Sequence, residues 1–289
     1  VSAIGKVAIV GAGQVGTMVG AALLEGGRSE QVTSVVLYDA DPEVAAVSVS
    51  FGGGDRVLSD PAGILEADAV VLAVPLTEIL AWLEEFGSQL GEGVLLLDTG
   101  SAKTTVVAAM ARFVPEGVHA IGGHPMAGSE ASGPSAAIPG ALQGATFVLS
   151  PCRSDEEAVA RATALVDACG ALPLLMEAAD HDRLVARTSH LPHLVASALA
   201  ALAAEFGEDR PLVQALVGTG YRSTTRLAAS DSKMVAAFAR ANRSQLEEAL
   251  REFRQEMDRL AVALAAEPGA LETELGRGRV GRAVVLGRA

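Results

Sequence analysis

The stretch Gly122-Gly123-His124-Pro125-Met126-Ala127-Gly128-Ser129-Glu130 fixes one of only five histidines between two glycines and a proline. Imidazole titrates near neutrality, so a histidine held in one place is suited to taking a proton from a reacting group. Taken alone, a stretch of this composition is more often a surface loop. Shortly before it come Asp98-Thr99-Gly100-Ser101-Ala102-Lys103, where Ser101 and Lys103 are placed to meet a ligand. Ser101 is equally suited to capping the helix that follows. Further on, Thr188-Ser189-His190-Leu191-Pro192-His193 puts a proline inside a helical pattern. A kink there leaves Ser189, His190 and His193 beside loosened backbone, either as a pocket wall or as fillers of a bent core helix. The HxxH spacing lacks a nearby third ligand, so no metal is expected. Arg222 and Arg226, four apart, share a face if that segment is helical. They are either two solvated cations or a site for an anion, a carboxylate being the group a guanidinium grips best.

These groups need a scaffold, and the first half of the chain supplies its signature. Lys6 to Val10 is a short apolar run of the kind found in buried parallel strands. Gly11-Ala12-Gly13-Gln14-Val15-Gly16 follows directly, and Thr17 to Leu24 continues as a helix. In that context Gly11 allows the tight turn, Gly13 lets a pyrophosphate approach the backbone, and Gly16 lets helix and strand pack closely. The helix N-terminus then offers free N–H groups to the phosphates. Asp39 ends the next strand, Ser34 to Tyr38, about where a carboxylate takes the ribose hydroxyls of a dinucleotide. A carboxylate there repels a 2′-phosphate, so NAD is expected over NADP. The alternative is that Asp39 merely ends a strand. His124 is then expected to face the nicotinamide ring and handle a proton as a hydride leaves the substrate.

Further strands are expected at Asp68 to Pro75, Gly93 to Asp98, Ala145 to Leu149 and Ala171 to Met176. Helices are expected from Thr77, as its cap, to Phe86, from Lys103 to Phe113, and from Asp155 to Cys169. His119, on the apolar run Val118 to Ile121, is taken as structural. This alternation predicts an α/β fold with a doubly wound parallel sheet. After Glu177 the strand-like runs stop. The expected division is a dinucleotide-binding domain over residues 1–176 and a helical domain over 177–289. In the latter, Asp180 to Phe206 is expected as one long kinked helix, with His181 at its start. Gly218 to Gly220 break the next helix, Asn242 to Ala266 form a long amphipathic one, and Gly276 to Arg282 are rich in Gly and Arg.

Half of the 289 residues are hydrophobic and 3% are aromatic, so the core must be built from Ala, Val and Leu. The longest near-continuous apolar run, Leu194 to Ala204, is too short for a bilayer, which needs about 20 residues. No basic-then-apolar leader opens the chain, so no signal peptide is expected. Cys152 and Cys169 show no metal or redox spacing and fit reduced residues of a cytoplasmic protein. A net charge of −13 argues against nucleic acid as a partner. The Ala/Leu-rich second half is too apolar to stand alone, which predicts a homodimer.

Five motifs in order, GAGQVG, LAVP, DTGSAK, GGHPMAGSE with SHLPH, and GYRSTTR, span nearly the whole chain. On them the chain resembles the prephenate/arogenate dehydrogenase family of tyrosine biosynthesis. The first two motifs are shared with many dehydrogenases; the others are specific. The resemblance implies a Rossmann domain followed by an all-helical dimerisation domain. It also implies NAD-dependent oxidation of the ring C4 alcohol of a cyclohexadiene acid, with loss of the ring carboxylate as CO2. Catalysis falls by resemblance to His124 and Ser101. Substrate binding falls to Arg226, with Ser189, His190, His193 and Arg222 around it and Glu130 at the entrance. Cofactor contacts fall to Gly11, Gly13, Gln14, Val15, Gly16, Asp39, Val74 and Pro75. Two positions depart from the pattern. Ser223 stands where an aspartate is usual, and Val235 where a tryptophan often follows the arginine. They bear on substrate identity, with prephenate, arogenate and 4-amino-4-deoxyprephenate as the alternatives. A NAD-binding sensor without turnover is the reading from another class.

Overall fold

The six apolar runs expected as strands all enter one sheet, and the apolar run around His119 adds another strand to it. A computed structural model describes residues 4–25, 31–205 and 209–287. The strands are β1 (Gly5–Val10), β2 (Val32–Tyr38), β3 (Arg56–Val57), β4 (Ala69–Leu72), β5 (Leu95–Asp98), β6 (His119–Pro125), β7 (Thr146–Pro151) and β8 (Leu172–Leu175), in the order β3-β2-β1-β4-β5-β6-β7-β8. Helices α1 (Gln14–Glu25), α2 (Pro42–Ser50), α3 (Leu76–Phe86), α4 (Thr104–Phe113) and α5 (Glu156–Ala168) accompany them. Along β1, Val7 and Ile9 pack to one side with Met18 and Leu23 of α1 and Leu165 of α5. Ala8 and Val10 pack to the other with Ile79 and Leu83 of α3 and Met110 of α4. Alternate residues thus serve opposite faces, and both faces are covered, as a parallel sheet requires.

The sheet is not parallel throughout, which corrects the sequence expectation: β7 runs antiparallel to β6. A parallel return needs a crossover of a dozen or more residues, usually helical. The connection between β6 and β7 carries Gly128, Gly133, Pro134, Pro139, Gly140 and Gly144 and forms only a 3-10 turn, Pro134–Ala136. β8 regains a parallel partner in β7 after α5. The short strand β3 and helix α2 had not been expected. The signal for α2 was present: Asp41 accepts the Glu43 N–H at 2.9 Å, with Pro42 in the first turn. Thr77 is not the cap of α3. Pro75 holds that position, and the Thr77 hydroxyl donates to Glu78.

The expected long helix is two helices, α6 (Ala178–Val185) and α7 (Leu191–Ala204), joined by a π-helical turn, Ala186–His190. Pro192, in the first turn of α7, has no N–H to give and crowds the carbonyl four residues back, so the turn before it widens. The expected end at Phe206 lies outside the described residues. Then come α8 (Arg210–Leu216), α9 (Thr219–Thr225) and α10 (Ser232–Ala241). Packing divides the chain after Asn242, so α6 to α10 belong with the sheet in one unit. The second unit is the pair α11 (Arg243–Ala265) and α12 (Ala270–Val285). Gly276, Gly278 and Gly281 lie inside α12, a regular helix despite the ~1 kcal/mol each glycine costs there.

Candidate active site

β1, β4, β5 and β6 are parallel, so their C-terminal ends share one edge of the sheet. That edge carries the glycine loop after β1, Ala73 to Pro75 after β4, Thr99 to Lys103 after β5, and His124 at the end of β6. Between β1 and β4 the strand order reverses, which is where open α/β sheets bind ligands. The three glycines of this loop differ in what surrounds them. Gly11 has φ +98°, and a Cβ there would run into the Ala73 carbonyl. A Cβ on Gly16 would overlap the Gly11 carbonyl oxygen, whereas Gly13 faces open space. The loop therefore fits a dinucleotide pyrophosphate: tight where helix meets strand, clear where phosphate must come.

Asp39, at the end of β2, accepts the Ala12 N–H at 2.8 Å and the Asp41 N–H at 3.0 Å. It braces the glycine loop and stays partly exposed beside it. Gln14 is a clasp rather than an open cofactor contact. Its amide donates to Ser129 Oγ at 2.6 Å and the Ala136 carbonyl at 2.9 Å, and accepts the Ser129 N–H at 3.0 Å. Val15 packs against the core. Val74 is partly buried and Pro75 exposed, both directly after β4.

His124 lies in a strand and not a loop, paired with Val148 of β7. Its Nδ1 meets His181 Nε2 at 2.9 Å, and His181 Nδ1 meets Asp182 Oδ1 at 2.8 Å. Asp182 also accepts the N–H groups of Lys103 and Thr104 at 2.7 and 2.9 Å, so it caps α4 from a distant helix. Burial pushes the Asp182 carboxyl up, but hydrogen bonds from His181, Lys103 and Thr104 outweigh it and bring the group to about 2. Burial, reinforced by His181, Lys103 and His190, holds His124 well below the usual imidazole range. It is therefore neutral at pH 7, the state a proton acceptor needs.

Lys103 does not reach the crevice. It is fully buried, and its Nζ donates to the Asp98 carboxylate and, at 2.6 Å, to the Gly123 carbonyl. Burial pushes the ammonium down and Asp98 opposes it. Asp98 also accepts the N–H groups of Gly123 at 2.9 Å and Gly100 at 2.7 Å. One buried ion pair thus locks the DTGSAK turn to the residue before His124. A Cβ at Gly123 would overlap the Asp98 carbonyl oxygen, so only glycine permits this approach.

His190, expected to touch substrate, is fully buried and stacked on Phe238 with ring centroids 4.4 Å apart. Its Nε2 donates to the Ser101 carbonyl at 3.1 Å and its Nδ1 accepts from Asn242 at 3.2 Å. Both nitrogens are engaged within the protein, so it holds the Ser101 turn. Burial lowers its pKa to about 4. Ser101 is half-buried and is not the cap of α4, a position taken by Lys103. His193, half-buried in α7, donates Nδ1–H to the Ser189 carbonyl at 2.9 Å and leaves Nε2 as its other polar atom. Arg226 pairs with Glu130, which joins α9's end to the loop that follows His124. Its own backbone N–H, then Arg226, hold the Glu130 carboxyl below its ordinary value. α9 stops at Thr225, so Arg226 opens a 3-10 turn while Arg222 stays exposed within the helix. An anion between the two arginines is therefore not a feature of one continuous helix face. Among the described residues no His, Cys, Asp and Glu cluster is arranged to hold a metal.

The residues that sequence reasoning missed are His181 and Asp182, taken only as a helix start. A signal existed. With Val185 and Ala186 they occupy positions i, i+1, i+4 and i+5 of one helical run, so two polar side chains share the apolar stripe.

Fold and site together define a Rossmann-type nucleotide-binding protein with a half-buried histidine, backed by a buried one, at its ligand edge. Residues 20–174 match the family model "Prephenate dehydrogenase, nucleotide-binding domain", and residues 177–272 match "Prephenate dehydrogenase, dimerization domain". The chain belongs to the prephenate dehydrogenase family. It is 30% identical over 261 residues to prephenate dehydrogenase of Lactococcus lactis, covering 90% of this chain and 71% of that protein. Cyclohexadienyl dehydrogenase of Zymomonas mobilis is 29% identical over 267 residues, with 91% and 89% covered. Among solved structures, Synechocystis arogenate dehydrogenase is similar at TM-score 0.77 and 26% identity, covering 96% of this chain and 98% of that one. Prephenate dehydrogenase from A. aeolicus, crystallised with hydroxyphenyl propionate and NAD+, shares the fold at TM-score 0.87 and 24% identity, with 97% and 98% covered.

Proposed function

We propose that the chain is a NAD-dependent dehydrogenase that oxidatively decarboxylates prephenate or arogenate. The observation that carries this is His124, neutral and anchored, on the same sheet edge as the glycine loop and three strands from it, about 14 Å across the sheet. Membership of the family and the relatives' activities support the substrate class. NAD, when bound, supplies a hydride acceptor. The chain's own residues do the rest. His124 Nε2 takes the proton of the ring C4 hydroxyl while the C4–H pair leaves as hydride. The bond to the ring carboxylate then breaks, its electron pair makes the ring aromatic, and CO2 departs. Ser101 holds the hydroxyl in line. Arg226 takes a substrate carboxylate in exchange for Glu130, with Ser189 and His193 beside it and Arg222 at the rim. Asp39 takes the ribose hydroxyls, and Val74 and Pro75 line the cofactor's path.

The same proposal assigns residues 1–176 to the nucleotide and 177–289 to substrate and dimerisation, in a cytoplasmic homodimer. The match to a dimerisation domain supports the dimer. So does the α11–α12 unit, which leaves Val262, Leu264 and Val285 each at least 70% exposed. Among the described residues no helix is long and apolar enough to cross a membrane. Purified protein should reduce NAD and release CO2 with prephenate or arogenate. Because Ser223 departs from the family pattern, 4-amino-4-deoxyprephenate belongs in the same assay. NAD binding without turnover of any of the three would overturn the catalytic reading in favour of a sensor. Sedimentation equilibrium should return twice the chain mass, and a monomer at micromolar concentration would refute the dimer.

A further inference from the structure

A histidine can act as a base only through the nitrogen that carries its lone pair, and that choice is made by what the other nitrogen bonds. For His124 the Nδ1 neighbour is His181, which in turn meets Asp182. We propose that His181 and Asp182 are positioning residues that hold His124 in its Nδ1–H tautomer and so leave Nε2 to accept the substrate's hydroxyl proton. This rests on the reading of His124 as the base.

The bonding leaves little choice. An ionised carboxylate only accepts, so His181 Nδ1, 2.8 Å from Asp182 Oδ1, must donate. Neutral His181 then has a lone pair on Nε2, and the nitrogen 2.9 Å from it, His124 Nδ1, must carry a proton. Neutral His124 has one proton, so Nε2 has none. The two rings meet edge-on, with centroids 5.1 Å apart at 74°, which directs each N–H along the bond rather than into a ring face. Asp182 cannot rotate to relax this. Both its oxygens are held by the N–H groups of Lys103 and Thr104, at 2.7 and 2.9 Å, and the start of α4 favours its negative charge. His181 and Asp182 are 1% and 2% exposed, so water does not compete for these bonds.

The other charges facing His124 fit the same role. Lys103 and His190 disfavour a proton on it, Asp182 favours one, and Asp98 is paired with Lys103. Free His124 therefore stays neutral. Once it takes the substrate's proton, its Nδ1–H still donates to His181, and the Asp182 carboxylate beyond offsets the new charge.

Long-range 1H–15N spectra of the full chain at pH 8 test this directly, with His124→Asn assigning the resonance among only five histidines. The expected result is His124 protonated on Nδ1 alone. A proton on its Nε2, or a doubly protonated His181 at that pH, would overturn the proposal. This readout needs no turnover, so it fails or succeeds independently of the substrate assignment. Asp182→Asn gives the second test. An amide has one oxygen where the carboxylate had two: with that oxygen on the Thr104 N–H, its NH2 takes the Oδ1 position toward His181, loses the Lys103 N–H bond and reverses both tautomers. Then kcat should fall on the order of 10⁴-fold, as a wrong-tautomer Asp→Asn substitution does in a serine protease, and the His124 resonance should switch nitrogen. A variant whose His124 resonance switches nitrogen while kcat stays at the parent's value would also overturn it.

Discussion

His124 and Arg226 carry different burdens, and substitution should separate them in the kinetics. His124→Asn removes the proton acceptor but touches nothing in the glycine loop. Its NAD affinity, read by titration of protein fluorescence, should match the parent, while kcat falls by ~10² or more. An unchanged kcat would remove His124 from the chemistry. Arg226 is more than half exposed and already engaged by Glu130, so it is built to exchange one carboxylate for another. A charge-assisted hydrogen bond contributes about 1.5–3 kcal/mol, so Arg226→Ala should raise KM on the order of 10- to 100-fold with a smaller change in kcat. Steady-state kinetics with the productive substrate decides; a fall in kcat at unchanged KM would contradict a binding role.

At the scale of elements, the site depends on how closely β6 approaches the turn after β5. Gly123 sits against the Asp98 carbonyl oxygen, Leu97 and Phe147, with no room for a methyl group. Gly123→Ala should cost about 1–3 kcal/mol, the usual penalty of overpacking, and displace His124 as it does so. Urea unfolding and kcat measured together should both fall; a variant as stable and active as the parent would show that the approach is not needed. The elements themselves were largely legible. Local periodicity marks a strand such as Val7 to Val10 or Leu95 to Leu97, and the GAGQVG turn announces its own geometry. What escaped was set by long-range packing. His181 reaches His124 across 57 residues of sequence, and no local pattern states that the two rings will touch. The direction of β7 follows from the want of a crossover helix, which shows only as glycines and prolines scattered between strands. The π turn at Ala186–His190 answers a proline that lies beyond it, so the proline is visible and the widened turn is not.

For the whole molecule, the buried histidines make stability depend on acidity. His190 folds with a pKa of about 4, below the ~6.5 of an unfolded histidine. The unfolded chain therefore binds a proton first as the pH falls, and about 3 kcal/mol of stability, complete above pH 6.5, drains away toward pH 4. His124 acts in the same direction, and Asp182, at about 2, extends the loss below pH 4. The urea midpoint should drop clearly between pH 7 and pH 4.5, and a midpoint flat over that range would contradict the burial of these rings. The Asp182 carboxylate that steadies His124 is the same group that seats the first turn of α4. A small loosening of α6 from α4 would tilt the imidazole before it exposed any apolar surface. Turnover, and not the melting curve, should then be the earlier alarm when solvent, temperature or a distant substitution starts to pry those two helices apart.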